Sequence, residues 1–299
     1  MELNTTLVGD NIETMSTLPD SSVDMCITSP PYYNLRDYNH NSQIGGEGSV
    51  EEFVGKLCDV FDEVYRVLKP TGSLWVNIGD SYQNKKLLQV PSRFEIAMSD
   101  RGWLLRNEII WNKPNPQPIS SKDRFWSNHE KIFWFVKDVK NYYFNREPIL
   151  VPQAEISVRR MFSNNNIDKR KDSVVSGKEG FSLSSSNQDK HYERLRESTG
   201  IQKGFDYQEL IDSGKCPSRP TFTVWDVPST TYKGAHFAVY PPELVTMPIL
   251  STCPEGGVVL DPFMGSGTSG LVAKQNNRNY IGCELNPEYA ELSKIRINQ

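Results

Sequence analysis

The segment Val258-Val259-Leu260-Asp261-Pro262-Phe263-Met264-Gly265-Ser266-Gly267-Thr268 contains, in order, an apolar run, a carboxylate and a glycine turn. This order predicts a buried strand that ends at Asp261, a tight turn through the two glycines and a helix that begins at Thr268. Glu284 ends the next predicted strand, Tyr280–Glu284, where a carboxylate can bind the hydroxyls of a ribose. The chain has no Gly-Lys-Ser/Thr, which argues against a phosphate-binding loop. The segment therefore indicates a nucleoside site at the carboxyl edge of a parallel sheet.

A second short segment, Thr28-Ser29-Pro30-Pro31-Tyr32, follows the apolar run Val23–Thr28 near the start of the chain. Its prolines end the predicted strand and hold the Pro30 carbonyl in a fixed direction. The Ser29 hydroxyl and the Pro30 carbonyl can accept the two protons of an exocyclic amine. Tyr32 offers a ring on which a base can stack. The segment predicts a clamp for a planar amine, although the same residues are also typical of an ordinary turn after a strand.

Apolar strands alternate with amphipathic helices over most of the chain, which favours an α/β protein with a parallel-rich sheet covered on both faces. Ser49 and Glu52 form a capping box before a helix that runs to Leu68, and Lys69–Gly72 predicts its end. Further strands are predicted over Ser73–Ile78, Leu104–Trp111 and Ile132–Val136, and further helices over residues 91–100, 268–274 and 287–297. Residues 163–204 are polar and rich in Ser and Asn, which predicts a long loop or a segment that is disordered in the free protein.

The chain has 299 residues and a formal net charge of −4, so its total charge does not indicate a strongly basic nucleic-acid binder. Residues 85–146, however, hold twelve Lys and Arg against six Asp and Glu, which predicts either a phosphate-facing surface or a solvated face. Five dispersed cysteines and no Cys/His cluster argue against a zinc site and against a disulfide framework. The sequence has no signal peptide and no apolar run of membrane-spanning length, so we expect a reducing, cytoplasmic location.

These segments resemble the motifs of the S-adenosylmethionine-dependent DNA amino-methyltransferases, the family of N4-cytosine and N6-adenine enzymes. Thr28–Tyr32 resembles the catalytic motif of that family, Asp261–Thr268 its cofactor motif, and Tyr280–Asn286 the acidic strand that follows. His236–Pro241 resembles the segment at the methionine end of the cofactor, and Gly9-Asp10 resembles a further cofactor segment. Because the catalytic motif precedes the cofactor motif, the order resembles the permuted arrangement called the beta class.

The resemblance implies a doubly wound, mostly parallel, seven-stranded Rossmann-like methyltransferase sheet that is circularly permuted. It implies a catalytic half over residues 1–141 and an S-adenosylmethionine-binding half over residues 236–299. Between them, residues 142–235 are expected to form a small target-recognition insertion with a flexible loop near residues 163–204. A recognition loop that DNA orders would account for so long a stretch without predicted structure.

The resemblance also assigns roles to individual residues. The expected catalytic residues are Ser29, Pro30, Pro31 and Tyr32. The expected cofactor-binding residues are Asp10, Thr28, Phe237, Asp261, Phe263, Gly265, Ser266, Gly267, Thr268, Glu284 and Asn286. Among these, Glu284 is expected to bind the ribose hydroxyls and Asp10 the adenine amine. The residues expected to contact DNA phosphates or base edges are Arg159, Arg160, Lys169, Arg170 and Lys171. Trp111, Lys113 and Pro114 are similar to residues near the target base, but a core position is favoured for Trp111 and a local hydrogen-bonding role for His236.

Ser29 stands where the N6-adenine enzymes of this family carry Asp, so the resemblance favours cytosine N4 as the acceptor, with adenine N6 as the alternative. Carbon-5 methylation is disfavoured because it needs a Cys nucleophile, and the Pro-Cys pair typical of those enzymes does not occur here. A DNA-binding module without catalysis, and methylation of a glutamine or an RNA base, are further alternatives. The expected partners are double-stranded DNA and a cognate restriction endonuclease acting on the same site, with a homodimer as an option. The expected setting is the cytoplasm of a prokaryote or a phage-infected cell, near the nucleoid, and no metal is expected.

Overall fold

The computed structural model describes residues 1–35, 43–162, 205–229 and 240–299. The chain forms two compact units. The first unit joins Met1–Pro148 to Phe222–Gln299, and the second is Ile149–Thr221. The second unit lies within the predicted recognition region, residues 142–235, and has narrower bounds. Its role in reading DNA stays a prediction.

Helices and strands alternate along the described residues. The strands, numbered along the whole chain, are β1 (Thr5–Val8), β2 (Val23–Thr28), β3 (Leu68–Ile78), β4 (Tyr82–Gln83), β5 (Lys86–Leu87), β6 (Leu104–Asn112), β7 (His129–Val136), β8 (Leu150–Pro152), β9 (Ser218–Pro220), β10 (Val224–Asp226), β11 (Val258–Asp261) and β12 (Asn279–Glu284). The α-helices are α1 (Asn11–Ser16), α2 (Val50–Val67), α3 (Val90–Asp100), α4 (Glu155–Phe162), α5 (Tyr207–Asp212), α6 (Pro242–Thr252), α7 (Thr268–Gln275) and α8 (Pro287–Ile297), with a 3-10 turn at Glu147–Ile149. None of the helices in the described part of the chain combines the length and the apolar character needed to cross a bilayer.

Among the described residues, eight strands pair into one sheet in the order β1-β12-β11-β2-β3-β7-β6-β10. Neighbouring strands are parallel except where β7 pairs with β3 and with β6. The predicted mostly parallel, Rossmann-like sheet is confirmed, with one strand more than the expected seven. The added edge strand is the short β10, which pairs Trp225 with Trp111 of β6. Because β2, β3, β6 and β11 run in one direction, their carboxyl ends meet at one edge, where sheets of this kind bind ligands.

Alternate residues of the central strands enter two apolar cores. On β3, Leu74 and Val76 share one core with Phe61 of α2, whereas Trp75 lies in the other core with Ile249 of α6. Successive side chains of a strand point to opposite faces, so a strand with helices on both sides is apolar at every position. This explains the near-continuous apolar runs in the sequence. A buried polar residue in one of these central strands is therefore an exception, and it needs a hydrogen-bond partner.

The long helix α2 begins where the sequence predicts. The Ser49 Oγ accepts a hydrogen bond from the Glu52 N–H at 3.2 Å, as expected of a capping residue. The helix ends at Val67, just before Lys69–Gly72 as predicted, but these residues belong to β3, which was predicted to begin only at Ser73. Leu68 already pairs with Val23 of β2, and the register shifts just beyond this pair. The segment with Pro70 and Gly72 thus becomes an irregular part of β3, because the residues on both sides of it pair with β2.

The second unit has a small core of its own. Val158 of α4 and Leu210 of α5 are buried and pack with Phe205, Tyr207 and Cys216. The strands β8 and β9 form an antiparallel pair in this unit. The flexible loop predicted near residues 163–204 lies outside the described residues.

Candidate active site

The two segments singled out in the sequence end neighbouring strands. β2 and β11 pair through Met25 with Val259 and Cys26 with Leu260. Beyond these pairs, at the carboxyl ends of the two strands, the Thr28 Oγ1 donates a buried hydrogen bond of 2.6 Å to Asp261. Residues that are 233 positions apart in the chain thus form one continuous edge. Thr28 is the first residue of the clamp segment, so this segment starts beside the glycine turn.

Asp261 is the buried centre of this edge. Only 2% of its surface is exposed, and its carboxylate accepts bonds from the Thr28 hydroxyl, the Ser269 hydroxyl at 2.5 Å and the Phe263 N–H at 3.0 Å. The Tyr240 hydroxyl approaches its second oxygen at 3.4 Å. Burial raises the pKa of the Asp261 carboxyl, and the Ser269 and Thr28 hydroxyls oppose this shift. The network holds the carboxylate in place and fixes the direction in which the chain enters the glycine turn.

Glu284 organises the other wall of the same site. Its Oε2 accepts the Gly265 N–H at 2.8 Å, and its Oε1 accepts the Asn286 N–H at 2.9 Å. Burial raises the pKa of the Glu284 carboxyl, and these backbone bonds lower it in part. Each oxygen of an ionised carboxylate keeps lone pairs for a further donor. Glu284 can therefore bind two hydroxyls of a ligand while it keeps its hydrogen bonds to the Gly265 and Asn286 N–H groups.

The turn leaves open space where a nucleoside can approach. Gly265 has φ +50°, and the nearest atom to an added Cβ is the Phe263 carbonyl oxygen at 3.9 Å. A side chain there would enter free space rather than protein, and a positive φ is strained for most residues. Together with the carboxylates of Asp261 and Glu284, this cradle fits a nucleoside that carries positive charge.

The remaining residues of the turn face the protein. An added Cβ at Gly267 would lie 2.9 Å from the Cβ of Ser293, so packing on α8 explains that glycine without a ligand. Arg296 donates to the Ser266 Oγ at 2.8 Å and to the Thr268 Oγ1 at 2.9 Å. The structure therefore places Gly267, Ser266 and Thr268 as supports of the turn. Their predicted direct contact with a cofactor stays a prediction.

Two predicted cofactor residues begin helices at the same edge. Asp10 caps α1, since its Oδ1 accepts the N–H groups of Ile12 and Glu13 at 2.9 and 3.2 Å. Asn286 caps α8 in the same way through the Glu288 N–H at 2.9 Å. The Gly9 N–H bonds to the Glu284 carbonyl at 3.0 Å and so places Asp10 next to the end of β12. Both residues lie beside the carboxylate that is expected to bind the ribose, and their contact with a cofactor stays a prediction.

The clamp segment is fixed by its tyrosine. Pro30 is buried, whereas Ser29 and Tyr32 are half-buried. The Tyr32 hydroxyl donates to Glu130 at 2.5 Å and accepts from the Asn77 amide at 2.9 Å. An added Cβ at Gly79 would lie 2.7 Å from the Tyr32 ring, so the ring rests directly on this glycine. The ring that is predicted to stack on a base is therefore held at its hydroxyl and packed against Gly79.

A polar cluster behind the clamp consists of Asn77 on β3, Glu130 on β7 and Lys113 just after β6. Sequence reasoning named Lys113, but it found neither Asn77 nor Glu130. The Asn77 amide donates to Glu130 at 2.9 Å and lies 3.3 Å from the Ser29 Oγ, and Lys113 forms an ion pair with Glu130. Burial and the charge of Glu130 raise the pKa of the Tyr32 phenol. The available signal was a polar residue within an otherwise apolar strand, because Asn77 is 6% exposed and needs partners.

Trp111 and Lys113 lie beside this cluster. Trp111 is buried in the core, as favoured from the sequence, and its indole donates to the Val227 carbonyl at 2.7 Å. The Lys113 ammonium lies 4.3 Å from the centre of the Trp111 ring. Lys113 thus connects the core to Glu130. Its proximity to a target base stays a prediction.

Several predicted residues fall elsewhere. The described residues do not include Phe237, His236, Lys169, Arg170 and Lys171. The side chain of Arg160 is also not described. In the second unit, Arg159 pairs with Glu155 at 2.6 Å and lies over the ring of Phe205 at 5.1 Å. Contact between Arg159 and DNA stays a prediction.

Known proteins resemble this chain along nearly its whole length. The family model for N6 and N4 DNA methylases matches residues 23–295. The type II methyltransferase M.Cfr9I of Citrobacter freundii is 34% identical over 328 residues, covering 99% of this chain and 89% of the relative. The type II methyltransferase M.SmaI of Serratia marcescens is 34% identical over 320 residues, covering 97% of this chain and 89% of the relative.

Solved structures share the fold. The PvuII DNA methyltransferase, described as cytosine-N4-specific, superimposes with a TM-score of 0.61 at 21% identity and covers 99% of this chain and 93% of its own. A Thermus thermophilus protein described as a DNA modification methylase, complexed with S-adenosyl-L-methionine, gives a TM-score of 0.58 at 22% identity, with 98% and 94% covered. At these identities the likeness is one of fold.

Proposed function

The chain belongs to the N6/N4 family of DNA methylases, which are S-adenosylmethionine-dependent, and from this premise we propose that it methylates the N4 amine of cytosine at a specific site in duplex DNA. The observation that carries the proposal is the hydrogen bond between Thr28 and Asp261. It joins the strand that ends in the clamp to the strand that ends in the nucleoside cradle. A methyl donor in the cradle and an amine in the clamp would then share one edge of the sheet.

The cradle fits S-adenosylmethionine through its carboxylates and its open glycine. Glu284 would hold the ribose hydroxyls, Asp10 the adenine amine, and Gly265 would let the cofactor lie against the backbone. S-adenosylmethionine, when bound, supplies a methyl group on a positively charged sulfur. The acidic residues Asp261 and Glu284 suit a ligand of that charge better than they would suit a pyrophosphate.

The clamp would hold and orient the acceptor amine. The lone pair of an exocyclic amine is delocalised into the ring, so the amine is a weak nucleophile until its two protons are directed to acceptors. Asn77 donates to the Ser29 Oγ at 3.3 Å, which leaves this hydroxyl a lone pair for one amine proton. The Pro30 carbonyl, held by the proline ring, would accept the other. Positioning and fixed dipoles of this kind account for much of the rate gain in many enzymes.

The target base has to leave the duplex, because its amine cannot reach a catalytic loop while the base is stacked and paired. The Tyr32 ring, anchored by Glu130 and Gly79, would receive the flipped base. Stacking of a base on an aromatic ring stabilises a complex by roughly 1–3 kcal/mol. The anchored hydroxyl keeps this ring in a single orientation before DNA arrives.

Two points favour cytosine over adenine. Ser29 occupies the position where the adenine enzymes of the family carry Asp, and the structurally similar PvuII enzyme is described as cytosine-N4-specific. The type II names of the relatives favour a partnership with a restriction endonuclease that recognises the same sequence. A homodimer stays a prediction.

Product analysis tests the proposal. Unmethylated plasmid DNA is incubated with the full chain and S-adenosylmethionine carrying a labelled methyl group, then hydrolysed and analysed by mass spectrometry. We expect labelled N4-methylcytosine, and sequencing of the modified bases then gives the recognition site. Labelled N6-methyladenine would overturn the choice of base, and unlabelled DNA would overturn the activity. The variant Ser29→Ala should lose turnover while it keeps cofactor binding, and equal loss of both would contradict the role of Ser29.

A further inference from the structure

Two consecutive aromatic side chains are exposed in the loop between β6 and β7. Phe125 is 98% exposed and Trp126 is 54% exposed. Single exposed apolar residues are common on protein surfaces, but a fully exposed Phe next to a half-exposed Trp forms an apolar patch. We call residues 114–128 the aromatic loop. It starts directly after Lys113, which belongs to the polar cluster behind the clamp and pairs with Glu130.

The aromatic loop leaves the same edge of the sheet as the clamp. β3 and β6 both pair antiparallel with β7, so their carboxyl ends lie on the side where β2 and β11 also end. The β4–β5 hairpin follows β3 at this edge, and there the Ser81 Oγ donates to the Tyr33 carbonyl at 3.1 Å. The clamp, the hairpin and the aromatic loop therefore belong to one surface of the first unit.

The aromatic loop is braced against the hairpin. Lys85 forms an ion pair with Asp123 at 2.7 Å, and the Arg124 guanidinium lies 3.6 Å from the centre of the Tyr82 ring. The Trp126 indole donates to the Ser121 carbonyl at 2.8 Å. These contacts hold the residues on either side of Phe125. The Phe125 ring is thus presented to solvent by a supported loop.

The chemistry around Phe125 suits nucleic acid. Lys85 and Asp123 offset each other, while Lys86 and Lys122 remain exposed at the same surface. Exposed cations attract phosphates, and apolar side chains are used by DNA-binding proteins as wedges between base steps. This surface also supplies part of the positive excess over residues 85–146 that the sequence analysis identified.

We infer that Phe125 inserts into the base stack of the duplex at the position that the flipped target base leaves, with Lys86 and Lys122 next to the flanking phosphates. The inference rests on the proposed function, because only an enzyme that extrudes a base creates this gap. Phe125 then lowers the free energy of the extruded state, while the clamp binds the base itself. Phe125 has no polar group, so its contribution is stacking and exclusion of water.

The test compares a paired target with a destabilised one. Methylation by the full chain is measured on a duplex that contains the mapped site, and on the same duplex with the target base mispaired. Phe125→Ala should lower kcat/KM on the paired duplex by about tenfold or more, as expected from the loss of one aromatic stack. It should lose much less on the mispaired duplex, where extrusion is easier. Phe125→Leu should keep most of the activity, since Leu also serves as a wedge.

The matched control is Val139→Ala. Val139 is 47% exposed and follows β7, which runs antiparallel to β3 and β6 and therefore ends at the opposite edge of the sheet, so its loss should not depend on pairing of the target. Equal losses by Phe125→Ala on both duplexes, or no loss at all, would overturn the wedge. A shift from dimer to monomer on Phe125→Ala in sedimentation, with kcat/KM unchanged, would assign the ring to a second copy of the chain instead. If the wild-type chain methylates neither duplex, the proposed function has failed rather than the wedge.

Discussion

Replacement of Glu284 by Gln tests the cradle most directly. Each oxygen of this carboxylate accepts one backbone N–H, from Gly265 at 2.8 Å and from Asn286 at 2.9 Å. Gln keeps one acceptor oxygen and turns an NH2 group, a donor, toward the second N–H. The unpaired backbone donor destabilises the free and the bound protein alike, whereas the ligand loses a charged acceptor for its hydroxyls, which costs about 1.5–3 kcal/mol of binding free energy. Because about 1.4 kcal/mol is a factor of ten, we expect S-adenosylmethionine to bind roughly tenfold to a hundredfold more weakly.

The affinity is measured by isothermal titration calorimetry of the full chain with S-adenosylmethionine. The control is Glu288→Gln, because Glu288 is exposed in the first turn of α8 and carries the same charge. Thermal melting of both variants without ligand shows whether the turn itself is weakened. An unchanged dissociation constant for Glu284→Gln would refute the assignment of this residue to the ribose. Equal weakening by both variants would show that overall charge, rather than the two backbone bonds, governs binding.

Three further results are expected. Glu130→Gln should lower kcat by about tenfold or more with little change in cofactor affinity, because it loosens the anchor of the base-stacking ring; steady-state kinetics with Glu108→Gln as control measure this. Thr28→Val should lower the free energy of unfolding by about 1–3 kcal/mol in urea titrations, because Asp261 loses a buried donor. Burial raises the pKa of the Asp261 and Glu284 carboxyls, so the folded chain keeps protons that the unfolded chain has lost. The ligand-free protein should therefore lose stability as pH rises from the ordinary carboxyl range through these raised pKa values. Cofactor affinity should fall as pH drops through the same range, because protonation removes the negative charge of the two carboxylates.

The fold could be predicted from local patterns where those patterns act alone. The helix at Pro287–Ile297 and the strand at Val23–Thr28 have the predicted bounds, because a proline start and an apolar run specify them without help from distant residues. The start of β3 could not be predicted, since Lys69–Gly72 carries the signals of a turn. There, pairing of Leu68 with Val23 outweighs the local preference. Long-range pairing of this kind has no signature within the segment itself.

In the candidate site, too, some residues could be predicted from local sequence and others could not. Ser29 and Asp261 stand in motifs whose residues are contiguous in sequence. Asn77 and Glu130 are 53 positions apart. Asn77 lies within the apolar run of β3, whereas Glu130 lies in the polar start of β7. Only the antiparallel pairing of β3 with β7 brings them together behind the clamp. A buried polar residue in a strand predicts that a partner exists, but the partner is chosen by the topology of the sheet.

The permuted order of the motifs follows from the same physics. A site at the carboxyl edge of a parallel sheet depends on which strands are neighbours and not on which strand comes first in the chain. Here β2 and β11 are neighbours, although 233 positions separate Thr28 at the end of one from Asp261 at the end of the other. The hydrogen bond between these two residues joins the ends of the two strands directly. Cofactor and base are therefore expected to meet across one pair of strands, and a change at either residue of this bond should be felt at both halves of the site.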